Sequence, residues 1–224
     1  MSSDNTRTKI RRGASHASHD QALIRQIIDL NLLCHVGFVV DGSPVVIPTC
    51  HWRIGDRLYW HAHRLATNVA PNHQGEVCIT ITQLDGLVLA RSAFNHSVNY
   101  HCVMAFGTAT PVVNPAEKAA ALEAMTNKIS PGRWPALRPV SDAELAATGV
   151  SYILLDEVSC KVSRGDAEDN TADIPWPVWA GVLPISSELG AAVPNADLQG
   201  DYPEPNPPKL ARCPSSDIPD NPEQ

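Results

Sequence analysis

The segment DGLVLARSAFNHSVNY, residues 85–100, decides most of what this sequence predicts. It places arginine, serine, asparagine, histidine and tyrosine among residues that favour β-strands. Only 18% of the residues in the whole chain are charged. A cluster of polar side chains within one strand-like segment is therefore unusual for this chain. The segment is therefore the first candidate for a functional site.

Strand-like runs lie on both sides of this segment. Asp41-Gly42 is a hairpin turn signal, and residues 77–83 alternate apolar and polar as a half-buried strand does. The predicted strands are 33–40, 45–53, 58–61, 77–83, 87–93, 97–113 and 151–162. The first three follow one another through short turns, which predicts an antiparallel meander.

Three helices are predicted around these strands. Ser18 and Gln21 have capping-box spacing before a helical apolar pattern over 19–31. Asn114 and Pro115 are typical of a helix start, and the pattern continues to 129. Ser141 repeats the capping signal for a short helix. The sequence therefore predicts a mainly β protein of the α+β kind, with one antiparallel barrel and flanking helices.

Composition excludes several classes of function. The net charge of −7 argues against nucleic-acid binding, which needs a basic face. No apolar run approaches the ~20 residues that cross a bilayer, so we expect no membrane partner. The six cysteines are scattered without a C-x-x-C pair, and the basic N-terminus lacks the apolar region of a secretory signal. A reduced, cytoplasmic protein is the expectation.

Three regions divide the chain. Residues 1–18 form a basic arm, residues 19–185 hold the predicted barrel domain, and residues 186–224 form a tail. Seven of the nineteen prolines lie between Pro203 and Pro222, where no apolar periodicity is present. Such a tail buries little surface, so the sequence predicts an extended or disordered segment.

Read together with WAGVLP at 179–184, the segment 85–100 resembles the pyridoxamine 5'-phosphate oxidase-related flavoproteins. The similarity is to the branch that includes the 5-nitroimidazole-resistance reductases, and it extends from about Arg11 to Ile185. The resemblance implies a six-stranded antiparallel split β-barrel. It also implies a homodimer with FMN in a cleft at the dimer interface.

The resemblance assigns two stretches to the flavin. The strand VIPT at 46–49 resembles the one whose backbone and threonine face the flavin ring. The segment HAHRLAT at 61–67 resembles a phosphate-binding segment, although alanine and histidine stand where the family has glycine and serine. The cofactor-binding residues implied by these two stretches are Thr49, His61, Ala62, His63 and Arg64.

A second group of implied flavin contacts lies further along the chain. It consists of Thr80, Arg91, Ser92, Asn99 and Trp179. Arg91 is the best candidate for a phosphate or pyrimidine-ring contact. The alternative is an arginine at a strand edge that pairs with a surface acid. For Trp179, which lies on a proline-rich and therefore stiff segment, we expect a wall of the ligand site.

His96 is the candidate catalytic residue, because an imidazole in this setting can bind a substrate group or donate a proton near neutral pH. The alternative is a turn in which asparagine and serine satisfy backbone groups. His101 follows Asn99-Tyr100 where the family has arginine. Both interpretations of residues 95–100 stay open at the level of sequence.

The implied function is an FMN-dependent oxidoreductase that passes electrons from a reduced nicotinamide to a small-molecule substrate, a nitroaromatic being one candidate. Two alternatives remain. One is haem binding, with His61, His63 or His96 as the ligand, because a single histidine can suffice. The other is a flavin-binding module without catalysis. No set of three or four ligands has the spacing of a zinc site, so we expect no metal centre of that kind.

Overall fold

The computed structural model describes residues 7–8, 17–63 and 75–210 of the chain. Ten strands occur in this part: β1 Ala17–Ser18, β2 Leu33–Val40, β3 Ser43–Ile54, β4 Arg57–His63, β5 Glu76–Leu89, β6 Ser97–Thr108, β7 Thr110–Pro111, β8 Thr148–Leu154, β9 Glu157–Ser163 and β10 Gly181–Pro184. Three α-helices accompany them: α1 Gln21–Leu30, α2 Pro115–Ile129 and α3 Asp142–Ala147.

All strand pairs are antiparallel, and β3 joins the two halves of the sheet. The order is β1-β9-β6-β5-β2-β3-β4-β8-β7, with β10 added to the end of β5. Residues 43–50 of β3 pair with β2, whereas residues 51–54 pair with β4. Because one strand serves two partners in turn, the sheet bends along β3 and its two halves enclose a common core.

The main core lies inside this curved sheet and is closed by α1. Ile24, Ile27 and Ile28 of α1 are fully buried, as are Trp60 and Ile79 of the strands. Burying each of these isoleucines stabilises the fold by roughly 1.5–3 kcal/mol. The apolar residues whose spacing predicted the helix thus form the face that closes the barrel.

The carboxyl end of α1 is satisfied by side chains from other elements. The Ile28 carbonyl accepts from Lys128 Nζ at 2.9 Å and lies 3.0 Å from His51 Nε2. Asn31 Nδ2 donates to the Ile27 carbonyl at 2.8 Å. The last turn of a helix leaves its carbonyls without partners, so these donors fix α1 against β3 and α2.

A second, smaller core lies on the other side of β3, β4 and β8, under α2. Trp52 and Tyr59 stack there with ring centroids 5.8 Å apart, next to Leu122 of α2. Asn114 Oδ1 accepts from two backbone amides at the start of α2, and Pro115 occupies the first helical position. This second core therefore anchors the helix that covers the outer side of β3 and β4.

The predicted fold class is confirmed, and so is the range of α2. The strand count of seven is wrong, because the prediction omits β1 and β10 and runs β6 and β7 together, and two further boundaries were misplaced. Asp85-Gly86 is not a turn between two strands but a bulge within the continuous β5. The predicted strand 151–162 is two strands, β8 and β9, separated by Leu155-Asp156. The N-cap of α1 is Asp20 rather than Ser18.

Residues 185–210 contain neither helix nor strand, and almost all of them are exposed. The segment returns to the turn after α2, where Ser130 Oγ donates to the Asn206 carbonyl at 2.9 Å. Asn206 Nδ2 donates in turn to the Pro131 carbonyl at 2.9 Å. The domain limits proposed from sequence stay predictions. None of the helices described is long and apolar enough to span a membrane.

Candidate functional site

Residues 91–99 comprise most of the connection between β5 and β6 and the first three residues of β6, and they form a structured segment rather than an open loop. Ala93–Asn95 is one turn of 3-10 helix, and Ser92 Oγ accepts from the backbone N–H of Asn95 at 3.3 Å. The Ser92 hydroxyl is therefore used as a helix cap. Its role as a flavin contact stays a prediction.

Arg91 holds this segment to the chain that follows β9. Its guanidinium donates to Asp169 at 2.7 Å, and its backbone N–H donates to the other carboxylate oxygen at the same distance. Burial raises the pKa of Asp169, but the hydrogen bonds from Arg91 outweigh this and hold the pKa below its usual value. This is the ion pair of the alternative interpretation, although Asp169 is only 4% exposed. A cofactor contact from Arg91 stays a prediction.

Two asparagines add further links between the same two segments. Asn95 Nδ2 donates to the Glu168 carbonyl at 2.6 Å, and Asn99 Nδ2 donates to the Gly165 carbonyl at 3.0 Å. We call residues 91–99 together with residues 164–169 the platform. The bonds of Arg91, Asn95 and Asn99 cross between segments far apart in sequence, so the shape of the platform depends on the complete fold.

Among the predicted residues of the platform, only His96 has a ring. This ring is exposed, and a hydrogen bond orders it. Its Nδ1 lies 2.8 Å from the Ser92 carbonyl, which fixes Nδ1 as the donor in the neutral imidazole. The lone pair of Nε2 is then left for a ligand. A cavity of about 280 Å³ lies beside the ring, between residues 94–99 and residues 163–168.

Large aromatic side chains surround this end of the sheet. Phe94 is 94% exposed, and Trp176 and Trp179 are 67% and 60% exposed. Trp179 precedes β10, which pairs with β5 just before the platform begins. A Cβ at Gly181 would meet the Trp179 ring at 3.0 Å, so the glycine permits this ring position. Exposed aromatics of this size are typical of ligand walls and interfaces.

The other predicted flavin residues lie at the ends of β3 and β4. Thr49 Oγ1 donates to the His61 carbonyl at 3.1 Å. The His61 ring lies 5.9 Å from that of Trp52, and burial lowers its pKa. Ala62 pairs with Gly149 in the strand ladder, and only the backbone of His63 is described. Arg64 lies outside the described residues.

These residues form a region where ring nitrogens are buried. We call Thr49, His51, Trp52 and His61 the strand-end cluster. His51 Nδ1, Trp52 Nε1 and His61 Nδ1 have no hydrogen-bond partner in the part of the chain described. The platform and the strand-end cluster are distinct groups, so the structure does not gather all the predicted residues around one centre.

Thr80 lies apart from both groups, on the outer face of the sheet. It pairs with His35 of β2 on one side and with Met104 of β6 on the other. Its side chain is half-buried among exposed neighbours. Its position is that of a residue in the middle of an open sheet face.

Two features were missed by sequence reasoning. Asp169 lies 78 positions from Arg91, and no local pattern marks it as a partner. Asp85 Oδ2 lies 2.9 Å from His101 Nδ1, and the two side chains are only 1% and 0% exposed. A signal for this pair did exist, because Asp-Gly within a strand pattern is typical of a bulge as well as of a turn.

Solved structures similar to this chain are known. The flavocytochrome Anf3 from Azotobacter vinelandii is 38% identical with a TM-score of 0.86, over 90% of this chain and 94% of that one. A FAD and haem binding protein from Mycobacterium smegmatis is 32% identical with a TM-score of 0.80, over 85% and 94%.

A candidate 5-nitroimidazole antibiotic resistance protein from Bacteroides thetaiotaomicron is 23% identical with a TM-score of 0.55, over 65% of this chain and 86% of that one. That likeness supports the fold alone. A search of curated protein sequences found no significant match. The family model described as pyridoxamine 5'-phosphate oxidase matches residues 20–162. The chain therefore belongs to the pyridoxamine 5'-phosphate oxidase family.

Proposed function

We propose that this protein binds both a flavin and a haem and acts as an oxidoreductase that transfers electrons between them. The observation that carries this proposal is the similarity, at 38% and 32% identity, to a flavocytochrome and to a FAD and haem binding protein. The two similarities cover 90% and 85% of this chain, more than the family model, which matches residues 20–162. Flavin and haem, weighed as alternatives from the sequence, become parts of one function.

The residues present fit a flavin ring more fully than a flavin phosphate. The outer face of β2 and β3 offers exposed apolar side chains, and Thr80 adds a hydroxyl near its centre. The phosphate needs a cation, and Arg91 already has Asp169 as its partner. We propose that the phosphate end lies at the segment 61–67, as the resemblance implies. FAD is the first candidate because the Mycobacterium smegmatis relative binds FAD, and FMN is the alternative.

The platform offers a haem one histidine nitrogen and nearby aromatic side chains, whereas the cavity beside it is lined mostly by polar side chains, Arg164, Asp166 and Glu168 among them. His96 keeps a free Nε2, and one histidine nitrogen is sufficient as an axial ligand. Phe94 and the tryptophans of 176–179 supply the large apolar surfaces that a porphyrin contacts. When bound, the flavin supplies two-electron hydride chemistry and the haem supplies one-electron transfer. The protein's part is to hold both groups, orient them and exclude water.

We propose a reduced nicotinamide as the electron donor and a small molecule as the acceptor. Both follow from the resemblance to the flavin reductases of the family. The sequence has no G-x-G-x-x-G fingerprint after a strand, so a nicotinamide would approach the flavin directly rather than occupy a dinucleotide fold. The acceptor is the least constrained part of the proposal.

We also propose a homodimer in which a second copy of this chain covers the outer face of β2 and β3. Leu33, Val39 and Val46 are each more than half exposed there, beside Gly37. Apolar groups in adjacent rows of an open sheet face are typical of an interface. Val46→Glu should give monomers in analytical ultracentrifugation, while Leu154→Glu, at the exposed end of β8, should not. A dimeric Val46→Glu protein would rule this face out.

A cytoplasmic location is also proposed. Cys34, Cys50, Cys78, Cys102 and Cys160 are all free thiols in the structure. Free thiols of this number fit a reducing compartment better than an oxidising one. Fractionation of the native host, followed by immunodetection, would test the location directly.

The proposed function is tested by the visible spectrum of the full chain, purified from cells supplied with riboflavin and a haem precursor. We expect a flavin spectrum together with a Soret band, and release of both groups on denaturation. Chromatography of the released flavin then distinguishes FAD from FMN. Anaerobic NADH or NADPH should bleach the flavin bands and shift the Soret band. A colourless protein that also refuses added flavin and hemin would overturn the proposal.

A further inference from the structure

We propose that the cavity of the platform binds the adenosine part of an adenine nucleotide, with the base on Phe94 and the ribose hydroxyls at Glu168. This goes beyond the proposed function, because it adds a nucleotide site that none of the similarities reported above locates. FAD, a nicotinamide dinucleotide and free ADP all contain this part. The haem, whose faces are apolar, is not placed in this cavity.

The lining of the cavity is rich in hydrogen-bond acceptors. His96 Nδ1 donates to a backbone carbonyl at 2.8 Å, so Nε2 presents a lone pair. Asn95 and Asn99 each use an amide proton within the platform, whereas their side-chain carbonyl oxygens take no part in those bonds. Asp166 and Glu168 add two exposed carboxylates. Such a lining suits a ligand that brings several hydroxyl or amino donors.

The carboxylate of Glu168 is mounted on a fixed piece of backbone. The Glu168 carbonyl accepts from Asn95 Nδ2 at 2.6 Å, and the next residue, Asp169, is bound by the backbone and the side chain of Arg91. Adjacent hydroxyls of a ribose are the groups that an acidic side chain binds in dinucleotide sites. The position of Glu168 is therefore suited to a ribose without reordering of the backbone.

Phe94 supplies a surface for a flat base. Its ring lines the cavity and is 94% exposed, so it has almost no packing partner in this chain. Bases stack on aromatic side chains in this way. The cavity of about 280 Å³ is slightly smaller than the roughly 300–1,000 Å³ of sites that enclose a whole drug-sized ligand. It therefore fits one part of a nucleotide, with the remainder outside.

The charges of the lining restrict the position of the phosphates. Among the described residues that border the cavity, Arg164 is the one permanent cation, and it is accompanied by the carboxylates of Asp166 and Glu168. A phosphate on the 5'-oxygen can lie outside the carboxylates. A phosphate on the 2'-oxygen would meet them, and like charges oppose binding. We therefore expect ADP to bind better than 2',5'-ADP, and NADH better than NADPH.

The test measures ADP binding to the full chain by isothermal titration calorimetry. Phe94→Ala and Glu168→Gln should each weaken ADP by about tenfold, the size of one lost stacking contact or charged hydrogen bond. Both side chains are exposed, so neither change should lower the melting temperature much. Val193→Ala and Glu188→Gln, exposed outside the cavity, are the matched controls and should bind as the wild type does.

A ligand variant separates a contact with the ribose from a general effect of charge. The wild type should bind 2'-deoxy-ADP more weakly than ADP, because the hydroxyl that donates to Glu168 is missing. This difference should disappear in Glu168→Gln if the two groups interact. An equal preference for ADP in the variant and the wild type would show that Glu168 does not contact the 2'-hydroxyl, and would overturn the assignment.

Two further measurements identify the source of the adenosine. If it belongs to FAD, ADP binds only after the flavin is removed, and both variants weaken FAD but not FMN. If it belongs to a nicotinamide dinucleotide, both variants raise the KM for NADH and leave kcat and FAD affinity unchanged. An effect on ADP alone identifies a free nucleotide.

Affinities for ADP, FAD and NADH that all stay within about twofold of the wild type in both variants would overturn the proposal. So would a wild-type chain that binds none of the three. ADP binding needs neither haem nor electron transfer. A failure of the proposed function, seen as a protein without flavin and haem, is therefore distinguishable from a failure of this site.

Discussion

The platform and the strand-end cluster treat their polar atoms in opposite ways. In the platform, Arg91, Asn95 and Asn99 give their donors to a segment about 70 positions away. In the strand-end cluster, one ring nitrogen each of His51, Trp52 and His61 is buried without a hydrogen-bond partner among the described residues. The polar groups of the platform therefore hold two segments of the chain together. The strand-end cluster instead buries its rings against other side chains.

This difference decides which region is suited to which chemistry. In the platform the hydrogen bonds of Arg91, Asn95 and Asn99 hold the backbone in place, and the second ring nitrogen of His96 takes no part in them. Buried atoms without partners lower the stability of the strand-end cluster, because an unsatisfied polar group costs free energy. Stability and ligand binding should thus respond to different substitutions in the two regions.

The largest effect on stability is expected at the buried Asp85–His101 pair. His101→Ala leaves the Asp85 carboxylate buried without its partner, so the free energy of unfolding should fall by about 3 kcal/mol. Urea denaturation followed by circular dichroism measures this. The exposed His35→Ala variant is the control and should change stability little.

A double variant sharpens this prediction. Asp85→Ala with His101→Ala removes both partners of the contact, so it should cost less than the sum of the two single substitutions. Strict additivity would mean that the two side chains do not stabilise the fold through each other, despite the 2.9 Å contact.

The second-largest effect is a pH dependence of the free energy of unfolding, which arises from the strand-end cluster. Burial, followed by the charge of Lys128, lowers the pKa of His51 to about 3. The unfolded chain takes up this proton near pH 6.5, while the folded chain does not until about pH 3. Protons therefore favour unfolding, and stability should fall by roughly 1 kcal/mol per pH unit as pH drops through this window.

His51→Gln tests whether His51 causes this pH dependence of stability. Glutamine can still donate to the Ile28 carbonyl, as His51 Nε2 does, but it does not titrate. Unfolding curves at a series of pH values should show a shallower loss of stability for the variant between pH 6.5 and 4.5. Parallel curves for the variant and the wild type would show that His51 does not carry the effect.

The third effect concerns the links of the platform. Asp169→Ala removes the acceptor of two Arg91 donors, so residues 91–99 and 164–169 should exchange backbone hydrogens faster. Hydrogen–deuterium exchange with mass spectrometry measures this change in both segments. Asp169→Asn keeps an acceptor and should lie between the alanine variant and the wild type.

Asp166→Ala is the matched control, since Asp166 is exposed in the same segment. It should leave exchange in residues 91–99 unchanged. Faster exchange of 91–99 in both variants would indicate that the segment is loosely held in any case. The inference that the bonds between Arg91 and Asp169 hold the platform in place would then be wrong.

The sequence was informative where local chemistry decides structure. Asn114 and Pro115 mark the start of α2, and Ser141 with Glu144 forms the capping box that opens α3. The fold class followed from the strand pattern and from the resemblance. Such features depend on a few neighbouring residues, so a single sequence contains them.

The sequence failed where a distant partner decides. Asp85-Gly86 became a bulge because β6 and β10 pair with β5 on both sides of it, and no local residue records that pairing. The sequence marked residues 91–99 as candidates for a functional site, and that stays a prediction. Their roles depend on Asp169 and on residues 165–168, which the sequence does not connect to them.

The smallest effect is expected at Ser92, and it separates the two interpretations of that residue. If Ser92 only caps the turn at 93–95, Ser92→Ala should cost about 1 kcal/mol of stability and leave flavin affinity within twofold of the wild type. Ser92→Thr keeps the hydroxyl and should restore most of that stability. If Ser92 instead binds the flavin, as the family resemblance implies, Ser92→Ala should weaken flavin binding by roughly tenfold, the size of one lost hydrogen bond. Flavin titration by fluorescence quenching at constant pH and salt gives the answer. A tenfold loss of flavin affinity would mean that part of the flavin site lies on the platform. The platform and the strand-end cluster would then share one function.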